Sequence, residues 1–66
     1  MNRQELLEYI KNRQYLCEFC YGLKQEVLKH GLDAITNYKG MICGGVEDMI
    51  IRLYEADHPN EDEPAK

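Results

Sequence analysis

Serine and tryptophan are absent from this 66-residue chain, and Thr36 is its single threonine. Without hydroxyl nucleophiles to choose from, the one conventional nucleophile–base combination left is a cysteine with a histidine. A phosphate-cradling glycine loop is missing as well. The stretch "GMICGG" at residues 40–45 lies inside a helical pattern and lacks the Lys-Ser/Thr that completes such a loop. The neighbouring acids Glu47 and Asp48 suit a solvated face better than an acid–base pair. The chain therefore reads as a non-enzyme that needs no cofactor.

Long apolar runs are also lacking, and none approaches the ~20 residues of a membrane span. Cysteine is scarce and odd in number, three in all, and no apolar stretch follows a basic start. A secreted disulfide framework is thus disfavoured, and a reducing cytoplasm is the expected location. Charge of one sign is missing from the body. The net charge of −4 comes from the end: residues 1–54 hold seven acids and seven bases, and residues 55–66 hold five acids and one base. A neutral body has no basic face for phosphates, which argues against nucleic acid.

What is present is helical periodicity. Asn2 can cap a helix with Glu5 at the third position, a capping box. Apolar residues then recur at Leu6, Tyr9, Ile10, Leu16, Cys17, Cys20, Leu23, Val27 and Leu28, spaced by threes and fours. Lys29, His30 and Gly31 form a stop signal. Asp33 can open a second helix with the stripe Ile35, Tyr38, Ile42, Val46, Met49, Leu53 and Ala56. The spacing predicts an all-α antiparallel helical hairpin, residues 2–30 and 33–57, with a kink or break near Gly44-Gly45 as the alternative. Residues 1–57 form the domain, and 58–66, "HPNEDEPAK", form a disordered acidic tail. A chain this short buries only about 60% of its unfolded surface, so two hairpins dimerising into a four-helix bundle are expected.

Three thiols stand out. Cys17 and Cys20 lie one helical turn apart, and antiparallel pairing sets Cys20 opposite Cys43. The plain reading makes all three core-filling residues. The alternatives are a metal-binding hairpin using Cys17, Cys20 and Cys43, or a redox pair. On continuous helices neither His30 nor His58 can complete a four-ligand zinc site. Arg13 and Lys24 interrupt the first stripe; their stems can lie on the core while the heads reach water, or Arg13 can pair with Glu47 or Asp48.

If Leu16, Cys17 and Cys20 face inward, Tyr15 and Phe19 face outward, with Gly22 one turn on. The partner-binding candidates are accordingly Tyr15, Phe19 and Gly22, flanked by Asn12 and Glu26. The expected function is that of a small interaction module, an adaptor, regulator or inhibitor of the kind phages and mobile elements carry, docking on a larger cytosolic protein. An RNA-binding hairpin dimer is the alternative, with Lys11, Asn12, Tyr15 and Lys29 as contacts.

Overall fold

Asn2 Oδ1 accepts the Glu5 amide at 2.8 Å, and Glu5 Oε1 accepts the Asn2 amide at 2.9 Å. The expected capping box is formed, and it starts α1, Arg3–Asn12. The computed structural model describes residues 1–58. It continues with α2, Glu18–His30; α3, Asp33–Thr36; and α4, Gly44–Asp57. The fold is all-α, with no strand among the described residues. No helix among them is long and apolar enough to cross a membrane. Of the tail expected at 58–66, residues 59–66 lie outside the described residues. His58, assigned with it, caps α4 and stacks on Tyr54 at 4.2 Å between ring centroids.

Neither long helix of the expected hairpin is continuous. The first breaks after Asn12: Arg13 is extended at φ −95°, ψ 141°, and helix resumes at Glu18. The cause is the charge in the stripe. A helix unbroken through residue 13 would aim Arg13 at the core. The break instead turns its guanidinium toward Asp48, and Lys24 Nζ donates to the freed Arg13 carbonyl at 2.7 Å. The second helix breaks between Asn37 and Cys43, where the Tyr38 hydroxyl donates to the Met41 carbonyl at 2.7 Å. Gly44 and Gly45 thus stand beside the break, as the first residues of α4.

The turn comes where expected. Gly31 closes α2 with φ 90° and ψ −175°, a glycine conformation outside the left-handed helical basin, and its amide donates to the Val27 carbonyl at 2.8 Å. Leu32, with Ile35 of α3, folds beneath it into the core.

Antiparallel register survives the breaks. α1 packs along α4, with Arg3 paired to Asp57 at 2.9 Å and Arg13 to Asp48 at 3.0 Å. α2 packs on α3 and α4. The core comprises Leu6, Ile10, Tyr15, Cys20, Leu23, Val27, Leu32, Ile35, Val46, Met49 and Leu53. Six of these are almost fully enclosed (Leu6, Ile10, Leu23, Val27, Val46 and Met49). Enclosing each such side chain contributes roughly 1.5–3 kcal/mol.

Several expectations about facing are overturned: Leu28 and Ile42 of the stripes are 43% and 61% exposed, and Phe19, expected outside, packs half-buried on the core. Tyr15, expected outside, is 6% exposed, and Leu16, expected inside, is 94% exposed. The non-helical backbone between α1 and α2, extended at Arg13 and Cys17, accounts for Tyr15 and Leu16, because it replaces the helical phase that had placed them.

Candidate metal centre

The heads of two helices meet at the break points. Cys17 occupies the N-cap position of α2, Cys20 lies in that helix's first turn, and Cys43 occupies the N-cap position of α4. Because α2 and α4 pack together, the three Sγ atoms all lie within 4.8 Å of one another. Cys20 is buried, and Cys17 and Cys43 are half-buried, each with part of its surface exposed. The core-filling reading holds in full for Cys20, while Cys17 and Cys43 pack half-buried against the same core.

Gly45 makes this closeness possible. A Cβ at residue 45 would stand 2.8 Å from Cys20 Cβ, 2.9 Å from Cys20 Sγ and 3.1 Å from Tyr15 Cδ1. Real side chains do not approach so closely, so only glycine lets α4 start directly against Cys20. Cys20 Sγ also donates to the Cys17 carbonyl at 3.3 Å, which holds its rotamer.

The thiols differ in acidity. Cys43 is pulled down to about 7, first by the Val46 amide at the head of α4 and then by the Cys17 and Cys20 thiols and the Gly45 amide, against partial desolvation. The amides act on the sulfur without closing a regular side-chain cap. Burial pushes the Cys20 thiol up, with the contact to Cys43 adding to it. Tyr38 is pushed up as well, first by desolvation and then by the charge of the nearby Cys43, Cys17 and Cys20.

Such a set can hold a soft metal ion. A Zn–S bond of about 2.3 Å in a tetrahedron sets thiolates about 3.8 Å apart. Sulfurs already within 4.8 Å need to close in by at most about 1 Å. Helix heads carry partial positive charge, which favours thiolate over thiol. One sulfur is sunk in the core and fixed; the other two stand at the mouth.

The remaining sequence-derived candidates do not gather into one site. Asn12 ends α1 and Gly22 lies mid-α2, both exposed. Phe19 is half-buried against the core, and Glu26 pairs on the surface with His30 at 3.5 Å. Tyr15 is enclosed, so the proposed Tyr15–Phe19–Gly22 surface does not exist as drawn. The same burial removes Tyr15 from the candidate RNA contacts, while Lys11 and Lys29 remain exposed. Exposed apolar side chains collect elsewhere. Leu16 directly precedes Cys17, and Met41 and Ile42, 64% and 61% exposed, precede Cys43.

A second cluster holds α1 to α4. Asp48 Oδ2 accepts from the Tyr9 hydroxyl at 3.1 Å, Arg13 Nη1 at 3.0 Å and Arg52 Nε at 2.9 Å. Arg52 also stacks over the Tyr9 ring, 4.4 Å from its centroid. The pairing of Arg13 with Asp48 is thus present, but at the surface, where Arg13 is 43% exposed.

No protein-family model, no curated protein and no solved structure matches this chain.

Proposed function

We propose that this chain is a small non-catalytic protein that binds one thiophilic metal ion through Cys17, Cys20 and Cys43. The observation that carries the reading is the convergence of all three sulfurs within 4.8 Å at the heads of α2 and α4. Its setting adds support. Gly45 gives way to Cys20, and the most acidic thiol stands at the open side. A reducing compartment such as the cytoplasm would keep the three thiols free to bind. Cadmium(II), whose thiolate bonds absorb in the ultraviolet, tests the site. Reduced protein should take up one cadmium per chain and shield all three cysteines from alkylation. Three cysteines that alkylate at the metal-free rate with cadmium present would refute the reading.

A second reading has its own support in the apolar surface. Leu16, Met41 and Ile42 at the cluster, and Ile50, Ile51 and Tyr54 on the outer side of α4, are all exposed. Apolar groups in such number suit contact with a larger cytosolic protein, or pairing of two copies into a bundle of helices. Multi-angle light scattering of the full chain separates these outcomes. A monomer at high micromolar concentration rules out the pairing.

A further inference from the structure

The donor set at the thiol cluster stops at three. Every cysteine of the chain is already in it. Both imidazoles stand at the wrong ends of the same helices: His30 ends α2, whose head carries Cys17 and Cys20, and His58 follows α4, whose head carries Cys43. At 1.5 Å per helical residue, each lies on the order of 20 Å from the thiols. Among the described residues, no histidine or carboxylate joins the cluster.

A structural zinc ion wants four ligands, and a catalytic one wants three plus water. Neither arrangement suits this mouth. The residues flanking the two half-buried sulfurs in sequence are the exposed, apolar Leu16 and Ile42 on one side and Glu18 and Gly44 on the other, and the Glu18 carboxylate does not join the sulfur cluster. The inner side is closed by Cys20, 3% exposed, packed against Gly45 and the Tyr15 ring. The one further soft atom in this part of the chain is the thioether of exposed Met41, two residues before Cys43.

Resting on the thiolate reading above, we infer that the ion is monovalent and thiophilic, of the copper(I) class, held by Cys17, Cys20 and Cys43 in a three-coordinate, all-sulfur arrangement. Soft thiolate donors suit copper(I), zinc and iron–sulfur clusters, and zinc and the clusters ordinarily call for four protein ligands or a water where this set offers three sulfurs. The closed d shell of copper(I) imposes no geometry and is satisfied by three sulfurs, so the missing fourth ligand is no defect. Three thiolates around a single positive charge leave the complex at −2. The heads of α2 and α4, worth about half a charge each, offset roughly half of that.

The test loads reduced protein under anaerobic conditions with copper(I), supplied as its acetonitrile complex, and separately with zinc(II). Gel filtration, metal analysis and X-ray absorption follow. One copper per chain should survive the column with three sulfur neighbours and no nitrogen or oxygen, while zinc is stripped to substoichiometric levels. Cys20→Ser should leave copper with two sulfurs, and Met41→Leu should leave it with three. Where Cys20→Ser loses its helicity, Cys17→Ser at the half-exposed position makes the same measurement. Zinc retained at one per chain with four ligands overturns the inference and leaves the thiolate site standing. So does copper held by two sulfurs, or gathered as several ions per chain. If neither ion binds, the thiolate site itself falls.

Discussion

Gly45 and Cys20 touch backbone to side chain: the space a methyl group would need at residue 45 is taken by Cys20 Cβ and Sγ, 2.8 and 2.9 Å away. Gly45→Ala therefore sets two effects against each other. Alanine gains up to about 1 kcal/mol of helix propensity over glycine. Overpacking costs about 1–3 kcal/mol, and the nearest colliding atom, Cys20 Cβ at 2.8 Å, cannot be moved by a rotamer change. Net destabilisation is expected in urea unfolding, with weaker cadmium uptake because Cys20 is pushed away from Cys43. A variant as stable as the parent and equally able to bind would show that α4 does not press on Cys20.

Thiol reactivity should follow position. Because the Cys43 thiol is lowered to about 7, it is mostly thiolate above that pH and mostly protonated below it. Metal-free protein treated briefly with iodoacetamide should be modified first at Cys43, with a rate that rises through pH 7. Cys20, buried and shifted upward, should react last. Peptide mapping by mass spectrometry gives the order. Cys20 reacting ahead of Cys43 would contradict the assignment of the two environments.

Asp48 should matter more than the other ion pairs. It accepts from Tyr9, Arg13 and Arg52 together. Asp48→Ala should cost about 1–3 kcal/mol, since three donors lose their acceptor at a half-buried place. Asp57→Ala, which removes a single exposed pairing with Arg3, should cost no more than about 1 kcal/mol. Equal effects in chemical denaturation would show that the Asp48 contacts do not act together.

The Tyr15 hydroxyl is enclosed without a hydrogen-bond partner. Its removal in Tyr15→Phe should therefore be neutral or stabilising, by up to about 1 kcal/mol, because an unpaired polar group leaves the interior. Tyr15→Ala should cost about 3–5 kcal/mol through the cavity left by the ring. A melting temperature that falls clearly in Tyr15→Phe would reveal a partner for the hydroxyl.

Much of the fold was readable from spacing, and the residues show why. The capping box at Asn2 and Glu5 and the stop at Gly31 are short-range devices, so local sequence suffices for them. The register that set Cys20 opposite Cys43 needed only the turn's position, and it outlived the loss of both continuous helices. The break at residues 13–17 depends on a distant acid, Asp48, and a distant amine, Lys24, which meet Arg13 only after folding. Its local trace was Arg13 itself, a charge in the middle of an apolar arc. Reading that charge as a snorkelling or paired side chain on a continuous helix put Tyr15 and Leu16 on the wrong faces, and with them the expected docking surface. The thiol cluster was visible as a pairing, but its openness was not, since half-burial of Cys17 and Cys43 follows from their places at helix heads rather than within helices.

Arg3 clasps Asp57 and reaches Asp33 at 3.5 Å, which gathers the start of α1, the end of α4 and the α2–α3 corner at one pole. The cysteines sit at the other pole, the full length of α4 away, about 20 Å for its 14 residues. Anything tethered at residue 1 would thus hang from the far side. A bead, a fluorophore or a fused domain attached at residue 1 leaves the sulfur mouth unobstructed, and a molecule immobilised there would present it to the solution.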